Sequence, residues 1–543
     1  MQVAVRRLIL IAGLSVVSLL LLFLLSRPTG LMNYIAGTRV PPLGDVLDPD
    51  TGVLNAQGLT ADSAVTIPDL TGEVRVIRDT RGVPHIYAGS ERDAVMALGY
   101  VTAQDRLFQL DFFPRVASGR LAEAFGPDMV GTDQFLRSTG MEWGAKKNFE
   151  QIRSEGGPVL DLLQWFSDGV NAYIDGLSED ELPIEFRLSG YRPNRWSPLQ
   201  SLRTIQVLTY DLSFDGDSYE YGWLKALMND EEYEKLFPRN APLYVPVIPG
   251  YPVPDLVPDS LRPRGDVRRP APPRLRRVLP SLAPATTSAE PRAFFEEAGE
   301  LLARHEAERE ALQGTAFEGY IAGKGSNNWA VHRGRSETGA PILANDMHLA
   351  LNLPAIWYEV HMVTPDYNTY GNVMPGMPLP VVAFNDHLAW GYTNGTVDVI
   401  DHYALELDAT GTQYRYNDGY RPIVTEIDTI YVNGGDAVID TLKYAHWGPV
   451  IDAGELGAVA IQWTAHKPMR NIEALRDMHL AKSMDEFQDA LRNWDVAPQN
   501  VLAASRDGEI AIRTSGHFPI RAAGDGIGLL DGTTSDYEWT GRI

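Results

Sequence analysis

The feature that most constrains this chain is a pair of short apolar runs separated by a polar turn. The runs are residues 325–331 (Gly-Ser-Asn-Asn-Trp-Ala-Val) and 341–348 (Pro-Ile-Leu-Ala-Asn-Asp-Met-His), and the turn is Ser-Glu-Thr-Gly at 336–339. This pattern predicts a β-hairpin. A turn centred near position 337 places Ser326 opposite His348 or a neighbour of it. Because a slip of one residue would move the imidazole to the other face, the pattern predicts proximity only.

Composition excludes several classes of protein. The chain has 543 residues and a hydrophobic content of 44%, which is enough for a large core divided among two to four domains. Its formal net charge of −24 argues against a nucleic-acid partner, since binding phosphates requires a basic surface. The absence of cysteine excludes a disulfide framework, a thiolate metal site and a cysteine nucleophile.

The amino terminus predicts export. Arg6 and Arg7 precede an apolar run over residues 8–25, which is typical of a secretory signal or an uncleaved anchor. No small-x-small cleavage site follows the run directly, which favours an anchor. Basic residues on the amino-terminal side place the remaining chain outside the cytoplasm. We therefore expect residues 1–27 to be a signal or membrane anchor, and the protein to be periplasmic or extracellular, with anchoring to the inner membrane as one outcome.

Several segments resemble one known family. The motifs Gly-Ser-Asn-Asn-Trp (325–329), Leu-Ala-Asn-Asp-x-His-Leu (343–349) and Leu-Pro-Ala-Ile-Trp-Tyr-Glu (353–359) resemble the start of the mature β chain in the penicillin acylase family. Gly-Val-Pro-His-Ile (82–86) and Ala-Gln-Asp-Arg-Leu (103–107) resemble its α-chain signature. Gly-Ser-Asn-Asn alone is more typical of an ordinary polar turn than of a cleavage site. The matching segments on both sides favour the family, which belongs to the N-terminal nucleophile hydrolases.

The resemblance implies a self-cleaving serine enzyme. Cleavage of the Gly325–Ser326 bond would make Ser326 both the nucleophile and the new amino terminus. A free α-amino group has a pKa of about 7.7 to 8.0, so it can accept the serine proton near neutral pH, usually through a bridging water. By the same resemblance His348 orients or polarises this amine. The backbone N–H of Asn394 would donate to the oxyanion of the tetrahedral intermediate.

The expected substrate is a small N-acylated amide, cleaved through an acyl-enzyme. The resemblance places Phe214 and Trp357 in the acyl pocket. Position 348 is His in acyl-homoserine-lactone and cephalosporin acylases, whereas penicillin G acylases have Gln there. This favours long-chain acyl amides and a role in quorum quenching or antibiotic metabolism.

Two acidic stretches suggest a cation site. Four carboxylates fall within residues 211–220, a cluster compatible with calcium or with the solvated start of a helix. Carboxylates inside the β-branched run 396–401 also require a partner. The resemblance implies one structural Ca²⁺ per heterodimer, held by the carboxylates of Glu220, Asp398 and Asp401 and the carbonyls of Ile400 and Pro519.

The chain is expected to mature into two subunits. Residues 251–291 are rich in proline and arginine and cannot order themselves by burial. The resemblance assigns 262–325 to a spacer removed on maturation, 28–261 to the α chain and 326–543 to the amino-terminal part of the β chain. A basic tail for anionic lipid is the rival explanation of the arginine-rich stretch.

We predict an α+β fold: the four-layer αββα sandwich of N-terminal nucleophile hydrolases, with a mostly helical α-chain segment. Helices are expected over 93–121 and 484–494, and strands over 74–79, 429–432 and 458–463. In relatives a further long segment follows the Trp-x-Gly motif found at 539–541 and carries a second oxyanion donor, so the chain is expected to be carboxyl-terminally truncated.

Two other functions compete with the acylase as interpretations of the sequence. A Ser-His-Asp hydrolase of the nucleophile-elbow type is disfavoured because no Gly-x-Ser-x-Gly occurs in the sequence. The non-enzymatic alternative is a membrane-anchored, calcium-dependent binding protein that keeps the same scaffold without turnover.

Overall fold

The computed structural model describes residues 64–213, 233, 235–236, 325–349, 353–452, 457–524 and 526–543. Within these ranges the protein is α+β: helices dominate up to residue 213, and strands dominate from residue 325 onward. The predicted apolar segment 8–25, Phe214, Glu220 and nearly all of the predicted spacer lie outside the described residues. No helix in the described ranges is long and apolar enough to cross a membrane.

The helices fall in two groups along the chain. Seven lie before residue 214, and two lie among the strands of the second half. Their bounds are α1 Glu91–Ser118, α2 Ala122–Phe125, α3 Val130–Ser138, α4 Met141–Glu155, α5 Pro158–Gly176, α6 Ile184–Ser189, α7 Pro198–Ser213, α8 Asn471–Leu480 and α9 Met484–Ala490.

Local sequence sets both ends of α1. The Ser90 side chain caps the helix by accepting from the Asp93 N–H at 3.1 Å, and the first turn carries Glu91 and Asp93, which complement the positive end of the helix dipole. Gly119 ends the helix with φ 57°, a left-handed conformation that favours glycine. The helix predicted over 93–121 is therefore confirmed, except that this glycine stops it before its predicted end.

Helix α1 packs directly against α5. A Cβ built on Gly169 in α5 would lie 1.9 Å from the carbonyl oxygen of Met96 in α1. No side chain other than hydrogen fits at this crossing. The two helices bury Leu98 and Phe166 in the main hydrophobic core.

The strands form two large sheets and three two-stranded ribbons. The eight-stranded sheet has the order β1-β2-β5-β6-β7-β8-β16-β17, the six-stranded sheet has the order β12-β13-β14-β15-β9-β19, and the ribbons are β3-β4, β10-β11 and β18-β20. The strands are β1 Arg75–Arg78, β2 Pro84–Tyr87, β3 Gly325–Val331, β4 Ile342–His348, β5 Tyr358–Val363, β6 Asn368–Val373, β7 Val382–Phe384, β8 Leu388–Asn394, β9 Ile400–Ala404, β10 Gln413–Tyr416, β11 Gly419–Pro422, β12 Val424–Ile430, β13 Val438–Tyr444, β14 Pro449–Asp452, β15 Ala458–Trp463, β16 Gln499–Ser505, β17 Ile510–Ser515, β18 Pro519–Arg521, β19 Leu529–Asp531 and β20 Trp539–Arg542.

The predicted secondary structure is confirmed where apolar periodicity is strong. The strand predicted over 458–463 matches β15, which is almost entirely buried. The strand predicted over 429–432 is displaced, because β12 runs from Val424 to Ile430 and exposes most of its side chains, so no apolar alternation marks its start. The helix predicted over 484–494 ends at Ala490 and continues only as a short 3₁₀ turn.

The first two strands join a sheet built mainly from the second half of the chain. Strand β2 pairs in parallel with β5, with His85 opposite His361 and Tyr87 opposite Val363. Strand β1 pairs only with β2 and forms the edge. The amino-terminal segment is therefore part of the same sheet as the residues after 325.

Helices α8 and α9 cover the middle of the eight-stranded sheet. The buried Trp390 ring of β8 contacts the rings of His479 in α8 and Phe487 in α9, with centroids 5.2 and 5.6 Å away. His479 Nε2 donates to the Pro380 carbonyl at 2.7 Å, since a carbonyl can only accept. Because burial keeps the ring neutral near pH 7, Nδ1 carries no proton and accepts from the Thr369 hydroxyl at 3.1 Å.

This neutral histidine predicts acid sensitivity. Burial lowers the pKa of His479 to about 4, against 6.5 in the unfolded chain, although the hydrogen bond to Pro380 opposes the shift. Between these values the unfolded chain binds a proton that the folded chain does not, so stability falls as pH drops from 6.5 toward 4. The loss is about 1.4 kcal/mol per pH unit, or roughly 3 kcal/mol in total.

We expect His479→Gln to reduce the difference between the free energies of unfolding at pH 7 and pH 4.5, measured by urea denaturation. His387→Gln, at an exposed position, is the matched control and should keep the wild-type difference. An unchanged difference in the His479 variant would contradict the prediction.

Candidate active site

Strands β3 and β4 form the predicted hairpin. Ser326 lies opposite Met347, and His348 lies opposite Gly325. The prediction that Ser326 faces His348 or its neighbour is confirmed, with the neighbour as the partner. Directly opposed residues project to one face of a ribbon and successive residues to opposite faces. Ser326 and Met347 therefore share one face, and His348 projects to the other.

This register does not bring His348 to the Ser326 hydroxyl. The imidazole instead lies on the outer face, where its Nε2 is 2.9 Å from the Oδ2 of Asp346, an exposed carboxylate two residues earlier on the same face. The expected role of His348 in orienting the serine is therefore not supported by the position of its side chain. The physical reason is the alternation of strand side chains, which makes a one-residue shift decisive.

The Ser326 hydroxyl lies against the bond that precedes it. Its Oγ donates to the Gly325 carbonyl oxygen at 2.6 Å. The nucleophile candidate and the carbonyl of the predicted cleavage site are thus in direct contact in the uncut chain. The contact is with the carbonyl oxygen, and it places the hydroxyl next to the predicted cleavage bond.

One amide side chain of the hairpin binds the backbone of β8. Asn345 Nδ2 donates to the Tyr392 carbonyl at 2.8 Å, and the Tyr392 N–H donates to Asn345 Oδ1 at 3.1 Å. A Cβ on Gly391 would lie 2.5 Å from this side chain, so the glycine makes room for it. Tyr392 therefore directs its backbone polar groups toward the hairpin.

Asn394 lies two residues further along the same strand. Gly395 N–H donates to the Pro498 carbonyl at 2.9 Å, and Asn394 pairs with Gln499. Hydrogen-bonded and non-hydrogen-bonded pairs alternate in an antiparallel ladder. The Asn394 N–H therefore points away from β16, to the side where Tyr392 meets the hairpin.

The Asn394 side chain holds the end of β8 in place. Its Nδ2 donates to the Leu212 carbonyl at 2.8 Å, and its Oδ1 accepts from the Thr396 N–H at 3.0 Å. The contact with Leu212 joins β8 to the end of α7. These bonds fix the backbone that carries the predicted oxyanion donor.

Ser326 opens onto an apolar cavity of about 760 Å³, a volume that includes its open mouth. Helix α7, the hairpin, residues 377–382, β8, α8 and the segment 494–499 contribute to its walls. None of its described lining side chains is charged. They are Ile205, Leu208, Thr209, Leu212, Ser326, Met347, Leu349, Trp357, Met377, Val381, Val382, Tyr392, Asn394, Asn471, Leu475, Trp494, Val496, Ala497 and Gln499.

The cavity brings together three of the predicted site residues, namely Ser326, Asn394 and Trp357. Burial raises the pKa of Tyr392 well above its usual value, so this lining residue is also neutral. Sequence reasoning missed Gln499, the first residue of β16. The walls contributed by α7 and Trp494 carry no local signal.

Two of the predicted calcium ligands, Asp398 and Asp401, contact an arginine. Arg521 Nη2 lies 2.7 Å from Asp401 Oδ1 and 3.0 Å from Asp398 Oδ2. Asp401 Oδ2 also accepts from the Trp539 indole at 2.6 Å, and Asp401 is fully buried. Although burial opposes its charge, hydrogen bonding to Asp401 and the charges of Asp401 and Asp398 raise the pKa of Arg521 above its usual value.

These residues do not fit a calcium ion in this arrangement, because N–H donors already use both oxygens of Asp401. The described ranges contain no group of three or more His, Cys, Asp or Glu side chains suited to a metal. Glu220 lies outside those ranges. Calcium binding by Glu220, Asp398, Ile400, Asp401 and Pro519 stays a prediction that the described residues do not support.

The fold and site define an α+β protein with a hairpin serine at the mouth of an apolar cavity. A family model described as penicillin amidase matches residues 73–543, and the chain belongs to this family. It is 30% identical over 504 residues to penicillin acylase 2 proenzyme of Pseudomonas sp. (strain SE83), covering 91% of this chain and 59% of that protein.

A second relative is the acyl-homoserine lactone acylase QuiP of Pseudomonas aeruginosa, 28% identical over 517 residues, covering 92% of this chain and 54% of that protein. The chain thus spans somewhat more than half the length of these two relatives. The structure is also similar to thermostable penicillin G acylase from Alcaligenes faecalis, with a TM-score of 0.37 and 23% identity over 40% of each chain.

Proposed function

We propose that this chain is a self-processing amidohydrolase that cleaves N-acyl amides through an acyl-enzyme on Ser326. One observation carries the proposal: the Ser326 hydroxyl contacts the Gly325 carbonyl at 2.6 Å and also lines an apolar cavity without a charged lining side chain among the described residues. The first contact suits self-cleavage, and the second suits the binding of an uncharged acyl group.

Maturation begins with attack of Ser326 Oγ on the Gly325 carbonyl carbon. The bond to the Ser326 nitrogen breaks, the nitrogen takes a proton, and an ester joins Gly325 to the serine oxygen. Water then hydrolyses the ester, which leaves a carboxylate on Gly325 and a free α-amine on Ser326. This amine is the general base for the second reaction.

In turnover the acyl group enters the cavity and Ser326 Oγ attacks its carbonyl carbon. The serine α-amine takes the hydroxyl proton and passes it to the leaving amine. The Asn394 N–H, which points toward the hairpin, donates to the developing oxyanion. Water then attacks the ester to release the carboxylic acid and restore the serine.

The substrate class follows from the cavity walls. Apolar side chains favour an aliphatic or aromatic acyl group, and an anionic group would be costly without a cation beside it. The two relatives described above are named for penicillin and for acyl-homoserine lactone, both of which are N-acyl amides. We extend this class, and no narrower one, to the present chain.

The proposal includes a heterodimer in the αββα sandwich of N-terminal nucleophile hydrolases. Its support is the contact between the two halves of the chain. Strand β2 joins β5, Arg476 pairs with Glu91 at 2.9 Å, and Gln206 Nε2 donates to the Ala465 carbonyl at 2.9 Å. Such contacts would hold the halves together after cleavage. Export and anchoring through residues 8–25 are part of the same proposal.

Mass spectrometry of the purified protein tests maturation. We expect a chain that begins Ser326-Asn327, together with hydrolysis of octanamide or phenylacetamide. An intact chain that binds such amides without cleaving them would instead favour the calcium-dependent binding protein, provided that binding is lost on chelation.

A further inference from the structure

We propose that His85 and His361 form a binding site for a divalent transition-metal ion, with copper(II) preferred over zinc. The two histidines belong to β2 and β5, which are neighbouring strands of the eight-stranded sheet. Neither histidine is among the described residues that line the cavity at Ser326. The inference is therefore independent of the proposed reaction.

The register of the sheet brings the two imidazoles together. His85 lies opposite His361 in the parallel pair β2–β5, so both side chains project to the same face of the sheet. Strand β5 alternates buried and half-buried residues, and His361 is on the half-buried face. The two Nδ1 atoms are 2.9 Å apart, and the ring centroids are 5.1 Å apart. Imidazole nitrogens are the commonest protein ligands for metals, and these two lie as close together as two ligands of one ion.

The separation of the two nitrogens indicates which metal fits. Bonds from a metal ion to histidine nitrogen are about 2.0–2.1 Å long. Two such bonds at a right angle place the nitrogens about 2.9 Å apart, whereas a tetrahedral angle places them about 3.3 Å apart. Right angles are typical of copper(II) and nickel(II), and copper(II) binds most strongly in the first-row series. Each ring must turn from its hydrogen-bonded position to direct its lone pair at the ion.

His361 is held in the tautomer that can bind a metal through Nδ1. Its Nε2 is 2.8 Å from Asn368 Oδ1. The Asn368 amide nitrogen donates to Asp386 Oδ1 at 3.1 Å, which directs the amide oxygen toward the histidine. An amide oxygen only accepts, so the His361 Nε2 carries a proton. In the neutral ring the Nδ1 lone pair is then available, and it accepts the proton of His85 Nδ1 in the hydrogen bond between the rings.

A carboxylate lies near the other ring nitrogen of His85. His85 Nε2 is 3.9 Å from Asp79 Oδ2. The backbone N–H groups of Arg81 and Val83 donate to Asp79 Oδ1 at 2.8 and 3.0 Å and hold this carboxylate in place. When an ion takes the Nδ1 position, the proton of neutral His85 moves to Nε2, where the carboxylate stabilises it. Metal-binding histidines commonly direct their second N–H to an oxygen acceptor, and both rings have such an acceptor here.

Water completes the coordination of the ion. The side chains of His85 and Asp79 are 23% and 31% exposed, so solvent reaches the pair. No group of three or more metal-binding side chains occurs in the described ranges, and two histidines with water ligands form an exchangeable site rather than a structural one. The formal net charge of −24 favours a cation. Arg81 is the nearby opposing charge, and it pairs with Glu359 at 3.2 Å.

Metal binding by the purified protein tests this inference. Equilibrium dialysis against CuCl₂, followed by electron paramagnetic resonance of the bound ion, would compare the wild type with His85→Gln and His361→Gln. We expect each variant to bind copper(II) at least about tenfold more weakly, because loss of even an indirect partner of a metal ligand typically costs 10–100-fold in affinity. We also expect the wild-type spectrum to show nitrogen ligation by both rings, and NiCl₂ to compete more strongly than ZnCl₂.

The matched control is His387→Gln, which removes an exposed histidine outside the pair and should keep the wild-type affinity. A second measurement needs no substitution: copper(II) should protect His85 and His361 of the wild type from diethyl pyrocarbonate, mapped by mass spectrometry. Equal affinity in the wild type and both variants of the pair, no protection of the two histidines, or tighter binding of zinc than of copper(II) would overturn the inference.

Discussion

Replacing Ser326 with alanine should leave a single uncut chain and abolish amide hydrolysis. The variant has no Oγ to attack the Gly325 carbonyl, so neither the ester nor the free α-amine can form. Loss of a catalytic nucleophile in serine hydrolases lowers kcat by several orders of magnitude. We expect the rate of octanamide hydrolysis to fall at least about a thousandfold, measured by release of octanoic acid.

The matched control is Ser336→Ala, in the turn of the same hairpin. The Ser336 hydroxyl contacts only the Thr338 hydroxyl at 2.8 Å among the contacts described for its side chain, and its loss should leave processing and turnover unchanged. Two chains of normal size from the Ser326→Ala protein would show that another group performs the cleavage. Uncut wild-type protein with full activity would refute the coupling of cleavage to catalysis.

Replacing Arg521 with alanine should destabilise the fold strongly. Asp401 is fully buried, and both of its oxygens accept from Arg521. Removing one partner of a buried ion pair typically costs 3–5 kcal/mol, because the other charge stays buried without its partner. We expect the free energy of unfolding in urea at pH 7 to fall by about this amount. Arg521→Lys should lose part of it, since an ammonium cannot make the same forked contacts.

The control for this prediction is Arg492→Ala. Arg492 pairs with Asp489 at 3.0 Å, and both side chains are at least 70% exposed. Exposed pairs contribute about 0–1 kcal/mol, so this variant should be close to wild type.

The same proteins decide between arginine and calcium as the cation at Asp398 and Asp401. If Arg521 fills this role, chelation leaves the melting temperature of the wild type unchanged. Calcium found by metal analysis, with a chelator-sensitive melting temperature and a stable Arg521→Ala variant, would instead support the ligand set inferred from the family resemblance.

The sequence predicted the parts of the molecule whose structure is set by residues close together in the chain. Local periodicity and turn residues indicated the body of α1, the buried strand β15 and the β3–β4 hairpin. The hairpin pattern alone predicted the residue opposite Ser326 to within one position. Family motifs added Asn394 and Trp357, which the structure places on the same cavity as Ser326.

What the sequence could not provide is the outcome of long-range packing. The face of the ribbon on which His348 lies depends on the strand register. The sequence does not fix this register, because it does not fix the centre of the turn. The contact between Arg521 and Asp401 spans 120 positions, and no local pattern marks it. The cavity is formed by segments far apart in the chain, such as α7 and Trp494, and no local pattern marks them as its walls.

The place of β1 and β2 has a consequence for assembly. They form the outer end of the eight-stranded sheet, and β2 covers the backbone of β5. If the chain is cut as proposed, these two strands would be supplied to the sheet by a separate polypeptide. Its departure would bare a row of unpaired amides and carbonyls that invites aggregation. The two pieces are therefore expected to be recovered together after scission, as a complemented sheet rather than as independent proteins.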